Sequence, residues 1–375
     1  LIITFRRTSM ITEREKEVLR YIRENPMIKQ QELADKVGIT RSSVGVHISN
    51  LMSKGYIEGK GYVVREDDYA AIIGGANIDL IGFSHQKIIS GDSNPGRVEM
   101  LLGGVGRNQA HNLRLLGIDV RMITAFGSDF NGDRLRHNCI ELGIDISNSI
   151  VVPNFKTSTY LSIIDNDGTL REGINEMDIY GFLTPEVLLS KMQMINRSSL
   201  CVVDTNIEQE TIEALANEAQ VPLFCETISV AKAHRIRNIL SRINTIRSDL
   251  ADIECLLNRN IDSESGIHAA IDEMLTQGIK RVFIGLSSHE VICATAEQRL
   301  RLSYNTLKIA NKNGARDSFM AALVWAYMKE TDLETAALAG MASATICSLS
   351  NNMVNEQLNE SHLMETMDNI RSQSI

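Results

Sequence analysis

The sequence predicts an α/β protein preceded by a small helical unit, and three observations support this fold class. The chain has 375 residues, which is too long for one ordinary domain and suits a small domain plus a large one. Three short amphipathic segments at helical spacing occupy its N-terminal part. After residue 70, short apolar runs alternate with helical segments, a pattern typical of a parallel sheet with helices on both faces.

Composition and charge exclude several classes of protein. The net charge is −9, yet residues 12–70 carry equal numbers of acidic and basic side chains, so we expect any DNA contact only from this first segment. No apolar run approaches the roughly 20 residues that cross a bilayer, which predicts no membrane partner. The 6 cysteines form no CxxC pair, so we expect reduced thiols in a cytoplasmic protein rather than a zinc site or a disulfide scaffold.

The domain boundaries follow from these patterns. Residues 1–9 precede Met10, after which the helical pattern begins, and they are expected to be a disordered extension. Residues 10–64 form the predicted small domain and residues 65–70 the linker. Residues 71–375 form the predicted large domain.

Three helices are predicted in the small domain. The first, TEREKEVLRYIRENP, has Thr12 as its N-cap, in a capping-box pattern with Glu15. The second, IKQQELADKVG, is closed by Gly38, and the third, RSSVGVHISNLMSKG, is ended by Gly55. The segment YIEGKGYVV then predicts a short hairpin.

Three helices and a hairpin, with a short turn between the second and third helices, form a winged helix-turn-helix. The segment resembles the MarR-like and LexA-like winged helix modules of bacterial regulators, which implies that the third helix enters the major groove of DNA. The residues expected to contact DNA are Arg41, Ser42, Ser43, His47 and Asn50 on this helix and Lys60 on the hairpin. Because the segment has no net charge, a helical adaptor for dimerisation or domain packing is the alternative.

In the large domain, the predicted strands are AAII, VRMITAFG, SLCVVDT, VPLFCET, TIRSD and RVFIGLS. The helices include NQAHNLRLLG and DRLRHNCIELG, and TSTYLSIIDNDGTLREGI predicts a hairpin that turns at residues 166–168. Ligands of such sheets bind at the carboxyl ends of the strands. Four clusters of glycine or polar residues fall there.

Two of these clusters suit a substrate rich in hydroxyl groups. The first contains Asn77 and Asp79, and a carboxylate after a strand can accept hydrogen bonds from vicinal hydroxyls, although many such residues only cap turns. The second contains Gly103, Gly104, Arg107 and Asn108 at the start of a helix. Glycines there let a ligand approach the backbone, although most glycine turns are structural.

The other two clusters suit phosphoryl chemistry. Gly314, Ala315 and Arg316 open a helix whose N–H groups can stabilise phosphoryl charge, and Asp317 can accept the proton of an attacking hydroxyl. An acidic residue in a first helical turn more often only complements the helix dipole. Asp249 and Asp252 can hold Mg²⁺ through water, and a solvated acidic helix face explains them equally well.

From about residue 70 to the C-terminus, the sequence resembles the PfkB, or ribokinase-like, kinases. The stretches that carry the resemblance are GGANIDLIGFSH, DSNPGRVEM with GGVGRNQAHNLRLLG, FGSDFNGDRL, TSTYLSIIDNDG and NGARDSF. The resemblance implies a ribokinase-like parallel-sheet sandwich with a small β lid. It further implies ATP-dependent phosphorylation of a sugar or nucleoside hydroxyl with Mg²⁺, sometimes with a monovalent cation, and the bacterial pseudouridine kinases are the most similar members.

The resemblance also implies roles for individual residues. The sugar would contact Asn77, Asp79, Gly103, Gly104, Arg107 and Asn108, with Asn175 near it on the lid. Asp317 would be the base, and Gly314, Ala315 and Arg316 would form the anion hole. Members of the family form dimers through their lids, so we expect a homodimer.

The sequence departs from the family on the phosphate side. The motif Gly-Ala-Gly-Asp has Arg316 in place of its second glycine, and Asn-x-x-Glu is replaced by Asp249 and Asp252. The nucleotide-side glycine turn reads Ser-Ser-His-Glu at residues 287–290. Arg316 would either block the anion hole or bind phosphate. Two hypotheses follow: an active kinase, or a DNA-binding regulator whose kinase-like domain senses the ligand with weak or no phosphotransfer.

Overall fold

A computed structural model of the chain describes residues 11–57, 68–287, 289–303 and 314–373. It divides into two compact units, Leu1–Asp67 and Asp68–Ile375. Residues 58–64 of the predicted hairpin, with Lys60 at its tip, lie outside the described residues, as do the extension at residues 1–9 and residues 65–67 of the predicted linker.

The first unit has the three predicted helices, α1 (Glu13–Glu24), α2 (Gln30–Val37) and α3 (Arg41–Ser53). The capping box is confirmed, because the Glu15 N–H donates to Thr12 Oγ1 at 3.2 Å and the Thr12 N–H donates to Glu15 Oε2 at 2.7 Å. Gly38 closes α2 with a left-handed φ of 70°. The three helices bury one apolar core between them, so the helical periodicity located this core correctly.

The second unit is built from strands and helices that mostly alternate. Its strands are β1 (Tyr69–Ile73), β2 (Asn77–Ser84), β3 (Gly96–Gly103), β4 (Asp119–Ile123), β5 (Ala125–Gly127), β6 (Ile150–Val152), β7 (Thr159–Ile164), β8 (Leu170–Glu176), β9 (Leu200–Asp204), β10 (Leu223–Glu226), β11 (Ile243–Asp249), β12 (Arg281–Ser287), β13 (Glu290–Ala294) and β14 (Arg299–Ser303). Its helices are α4 (Val105–Leu115), α5 (Phe130–Glu141), α6 (Pro185–Leu189), α7 (Met192–Arg197), α8 (Gln209–Glu218), α9 (Val230–Ala233), α10 (Leu250–Leu257), α11 (Glu264–Thr276), α12 (Ala315–Met328), α13 (Leu333–Ser348) and α14 (Glu360–Gln373). Short 3₁₀ helices cover Asp178–Phe182 and His234–Arg242.

The main sheet has the order β14-β13-β12-β11-β10-β9-β1-β4 among the described residues. The pairs from β4 to β12 are parallel, and β13 and β14 add an antiparallel edge. In β1, Ile72 packs into the apolar core on one face and Ile73 into the core on the other. This double burial explains why the strands read as continuous apolar runs.

A second sheet has the order β3-β2-β7-β8 and contains the predicted hairpin as the antiparallel pair β7 and β8. The pairing of β2 with β7 is parallel, and that of β2 with β3 is antiparallel. A third, two-stranded sheet joins β5 to β6. The end of β1 and the start of β2 therefore lie beside the start of α4, because Asn77 pairs with Gly103 and the Arg107 N–H donates to the Gly75 carbonyl.

Two details differ from the sequence predictions. Tyr69 and Ala70, assigned to the linker, already belong to β1, because both side chains are buried in the sheet. The strands β3, β6, β13 and β14 were not predicted: β6 has only three residues, and β3 has a single buried one. Among the described residues, the search for a helix of sufficient length and apolarity to cross a membrane finds none.

Candidate functional site

A turn rich in glycine follows β1 and is held by a buried carboxylate. The Gly75 N–H donates to Asp204 Oδ2 at 2.8 Å, and the Asn206 N–H donates to Asp204 Oδ1 at 2.8 Å. A Cβ on Gly74 would collide with the Asp204 carboxylate. Asp204 therefore fixes the backbone that leads into β2.

The pair Asn77 and Asp79 opens β2 with both side chains buried. The Asn77 Nδ2–H donates to Asp79 Oδ1 at 2.5 Å. Burial raises the pKa of the Asp79 carboxyl to about 7, although the hydrogen bond from Asn77 and the charge of Arg107 act in the opposite direction. Asp79 is thus a buried carboxyl group that can accept further hydrogen bonds when it is ionised.

The second glycine turn joins β3 to α4 and touches the first. A Cβ on Gly103 would strike the Asp79 carboxylate, and one on Gly104 would lie 2.5 Å from the Ala76 Cα. Gly104 also has a φ of 97°, which favours glycine. The Arg107 N–H donates to the Gly75 carbonyl at 3.0 Å, so the two turns are locked together.

A chain of hydrogen bonds runs from this turn to Asp317. The guanidinium of Arg107 donates to Asn108 Oδ1 at 3.1 Å and to Asn138 Oδ1 at 2.7 Å. The amide of Asn108 in turn donates to Asp317 Oδ2 at 2.8 Å. Only 5% of the Arg107 surface is exposed, so this side chain is a fixed support that orients the Asn108 amide.

Asp317 lies in the first turn of α12 with its side chain buried. Burial, and then the charge of Glu226, raises the pKa of Asp317 well above its usual range, while Asn108 and Arg316 lower it. A carboxylate with a raised pKa is a stronger base. The N-cap of α12 is Gly314, with a φ of 77°, and a glycine supplies no side-chain acceptor for the first N–H groups of the helix, an arrangement that anions bind.

Residues 67–357 match the model of the pfkB family of carbohydrate kinases. The chain belongs to this family. It is 33% identical over 352 residues to the uncharacterized sugar kinase YeiI of Escherichia coli (strain K12), covering 93% of this chain and 97% of that protein. It is 34% identical over 263 residues to the pseudouridine kinase of the same strain, covering 69% and 84%.

Solved structures confirm the predicted ribokinase-like fold. The ribokinase of Arabidopsis thaliana, complexed with ribose and ATP, superimposes with a TM-score of 0.71 at 16% identity, covering 80% of this chain and 99% of that one. A carbohydrate kinase from Agrobacterium tumefaciens gives a TM-score of 0.69 at 24% identity, covering 80% and 97%. Residues 11–58 match the winged helix-turn-helix DNA-binding family, which confirms the N-terminal prediction.

In the first unit, one face of α3 packs into the core and the other face is exposed. Val44, Ile48 and Leu51 point into its core. Of the residues predicted to contact DNA, Arg41, Ser42 and Asn50 are exposed, and Ser43 and His47 are half-buried. The exposed set includes Arg and Asn, residue types that read base edges in the major groove.

Asn175 lies on β8 in an exposed position. The register places it opposite Tyr160 of β7, which in turn pairs with Asp79 of β2. The three residues therefore occupy one row on one face of the second sheet. Burial, and then the charge of Asp79, raises the pKa of Tyr160, so Tyr160 is a neighbour of the site that the sequence did not single out.

The guanidinium of Arg316 contacts the two aspartates at the junction of β11 and α10. Its Nη2 donates to Asp252 Oδ2 at 2.7 Å, and its Nη1 lies 3.1 Å from Asp249 Oδ2. Asp249 Oδ1 also pairs with Arg247 at 2.9 Å. The two aspartates predicted to hold Mg²⁺ are thus paired with guanidinium groups, and in the part of the chain that the structure describes no group of three or more metal-ligating side chains is assembled.

Three further charged residues were missed by the sequence reasoning, namely Asp204, Glu226 and Arg247. All are buried, and Asp204 and Glu226 are the last residues of β9 and β10. The signal was available, because a polar residue that ends a buried apolar strand lies at the ligand edge of the sheet. Glu290, in the altered turn at residues 287–290, pairs with Arg301 at 2.6 Å.

Proposed function

We propose that this protein transfers the γ-phosphoryl group of ATP to a hydroxyl of a ribosyl compound, with a pseudouridine-like nucleoside as its substrate. The observation that carries the proposal is the hydrogen bond from Asn108 to Asp317, which links the base to the helix that starts beside Asp79. The relatives support the substrate class, since one is a sugar kinase and another a pseudouridine kinase.

In this proposal the sugar-side groups bind the substrate. Asn77 and Asp79 hydrogen-bond its ribose hydroxyls, the backbone at Gly103 and Gly104 lets the ring come close, and the lid residue Asn175 covers it. Arg107 holds Asn108 in position. The substrate is thereby oriented with its reacting hydroxyl toward Asp317.

The phosphoryl transfer then needs few groups. The substrate oxygen attacks the γ-phosphorus, its proton passes to the Asp317 carboxylate, and the bond between γ-phosphorus and ADP oxygen breaks. The first-turn N–H groups of Gly314, Ala315 and Arg316 stabilise the charge on the transferring group. Kinases of this family use ATP with a divalent metal ion, which neutralises phosphate charge when bound.

The test is ADP release with pseudouridine, uridine, ribose and inosine as acceptors. Pseudouridine is expected to give the highest kcat/KM. Asp317→Asn is expected to lower kcat by about 10²–10⁴-fold with little change in substrate affinity, because it removes the proton acceptor and keeps the shape.

The matched control is Asp332→Asn. Asp332 is the exposed N-cap of α13 and accepts from the Thr335 N–H at 2.8 Å, so its replacement changes a helix-terminal carboxylate outside the site. Its kcat should equal that of the wild type. A kcat of Asp317→Asn close to that of the wild type would overturn the assignment of the base.

The second candidate function is a DNA-binding regulator whose kinase-like domain binds the nucleoside with weak or no phosphotransfer. The winged helix-turn-helix match and the exposed face of α3 favour it. Nucleoside binding without ADP release would support it over the first candidate.

DNA binding is tested by titrating duplex DNA at low and high salt. Affinity should fall as salt rises, because binding releases counterions from the phosphates. Arg41→Ala should weaken binding, whereas Lys16→Ala, which removes the same charge from the exposed surface of α1, should not. Equal effects of the two variants, or no binding at low salt, would contradict the assignment of α3.

The homodimer and the cytoplasmic location also remain predictions. Val98, Met100 and Ile174 are exposed on the same face of the second sheet, and such apolar faces are typical of subunit contacts. Sedimentation of the wild type and of Val98→Lys would test the dimer, which the charged side chain should weaken.

A further inference from the structure

Among the described residues, the guanidinium of Arg316 is surrounded by carboxylate and carbonyl oxygens. Beyond Asp249 and Asp252, its Nε lies 3.7 Å from Glu226 Oε1. Its Nη1 donates to the Ile228 carbonyl at 3.3 Å, and its Nη2 also donates to the Thr227 carbonyl. Three carboxylates, at the end of β10, at the end of β11 and in the first turn of α10, thus converge on the Arg316 guanidinium. Arg247 also pairs with two of them, Glu226 at 3.5 Å and Asp249 at 2.9 Å, so Arg316 is the guanidinium that pairs with Asp252.

These carboxylates are held in place by other partners as well. Asp252 Oδ2 accepts from Thr227 Oγ1 at 3.0 Å, and Glu226 Oε2 accepts from Gln109 Nε2 at 2.6 Å. The side chains of Asp252 and Glu226 are 5% and 1% exposed, so water does not compensate their charge. A buried carboxylate requires a cation or must take up a proton.

The ion pairs join two departures from the family motif that look independent in the sequence. Arg316 stands where the family has glycine, and Asp249 stands where the family has asparagine. The first change adds one positive charge and the second adds one negative charge, so together they leave the net charge unchanged. The 3.1 Å contact between these two side chains pairs the added positive charge with the added negative charge.

A guanidinium and a divalent metal satisfy such a cluster in different ways. Mg²⁺ draws its oxygen ligands to about 2.0–2.1 Å in an octahedron. The planar guanidinium instead spreads the carboxylates around its edge, with Asp252 and Asp249 at 2.7 and 3.1 Å and Glu226 at the longer ion-pair distance of 3.7 Å. The residues as they stand therefore do not fit a metal ion between Asp249 and Asp252.

We infer that Arg316 is the resident cation of the cluster formed by Glu226, Asp249 and Asp252, and that it closes this cluster to divalent metal. The side chain takes the place of an ion at the carboxylates, and the backbone of its own residue remains available to the phosphate. Removal of the guanidinium then converts the cluster into a divalent-cation site. This inference does not depend on the proposed substrate or on phosphoryl transfer.

The experiment measures Mn²⁺ binding to the full chain without nucleotide, from the loss of the free Mn²⁺ signal in electron paramagnetic resonance. Arg316→Gly is expected to bind one more Mn²⁺ than the wild type, which should show no Asp252-dependent binding. The double variant Arg316→Gly with Asp252→Asn should lose that ion.

Two further measurements keep the inference open to contradiction if the glycine variant does not fold. Arg316→Met keeps most of the stem without the charge and should gain the same ion. Wild type and Asp252→Asn, compared directly, should bind Mn²⁺ identically, because the cluster is closed in both. Asp252-dependent binding by the wild type, or no gained ion in a folded Arg316 variant, would overturn the inference, whatever the kinase activity proves to be.

Discussion

The two halves of the candidate site are built in opposite ways. The sugar-side half, residues 74–79 and 103–108, requires glycines, because a Cβ on Gly103 or Gly104 would strike its neighbours. The phosphate-side half, formed by Arg316 with Glu226, Asp249 and Asp252, depends on a side chain that has been added to the family pattern. The glycine turns of the sugar-side half leave no space for a Cβ. In the phosphate-side half, the Arg316 guanidinium has several acceptors.

This difference predicts unequal tolerance to substitution. A backbone held against another backbone has no way to accommodate one more carbon, because both chains are fixed by strands and helices. A guanidinium with five acceptors keeps most of its contacts when one acceptor is lost. The following predictions test this contrast, from the largest expected effect to the smallest.

The largest effect is expected for Gly104→Ala. Its Cβ would meet Ala76 and Gly75 at 2.5 Å, and its φ of 97° is strained for alanine, so the free energy of unfolding should fall by about 4 kcal/mol or more. Gly117→Ala is the matched control, because Gly117 also has a positive φ, 77°, but nothing lies within 4 Å of its Cβ. It should cost only about 1 kcal/mol. Urea denaturation measures both, and equal losses would break the contrast.

An intermediate effect is expected from the ionisation of Asp79. Its folded-state pKa of about 7 lies above the ordinary 3.8, so the folded protein binds this proton more tightly than the unfolded chain. The stability that it contributes is present below the ordinary pKa and is lost as pH rises through 7. Relative to Asp79→Asn, the wild type should lose about 3 kcal/mol of unfolding free energy between about pH 4.5 and 7.

Urea titrations across this pH range measure the effect, with the exposed Asp262→Asn as control. The affinity for substrate should change in the opposite sense and rise toward pH 7, because the ionised carboxylate accepts hydrogen bonds from hydroxyls. A pH-independent difference between wild type and Asp79→Asn would contradict the assigned shift.

The smallest effect is expected for Asp249→Asn in the phosphate-side half. Its side chain is 39% exposed, and Arg316 keeps Asp252 and Glu226 when it is replaced, so the loss should stay below about 1 kcal/mol. Thermal unfolding of the two proteins measures it. A loss as large as that of Gly104→Ala would show that this half is as intolerant as the other.

The sequence reasoning succeeded where the signal is periodic or local. It located the capping box at Thr12, the closing role of Gly38, the hairpin of β7 and β8, and the apolar strands β9 to β12. It missed β3, which has one buried residue, and it overlooked β14, whose leucines alternate with arginines at the sheet edge. Edge strands are paired on one side only and are less buried, so their apolar signal is weaker than that of central strands.

The candidate site divides in the same manner. Asn77, Asp79, Asn108 and Asp317 could be named from motif and position, but Asp204 and Glu226 could not be given roles. Asp204 supports the first glycine turn, and Glu226 acts on both Asp317 and Arg316. The position at a strand end indicates that these residues face the ligand edge, but Gly75, Arg316 and Asp317 lie more than 80 residues away in the chain, so no local pattern indicates these roles.

By itself, the sequence determined the division into two units, the alternation of buried strands with helices, and the candidate roles of Asp79 and Asp317, because hydrophobic period and position at element ends encode these features. Only the tertiary structure decided what Arg316 does. Asp249 and Asp252 lie over sixty residues earlier in the chain, and they meet Arg316 because the junction of β11 and α10 lies beside the start of α12. A residue that the sequence left as either an obstacle or a phosphate ligand is, in the structure, the counter-cation of a buried acidic cluster.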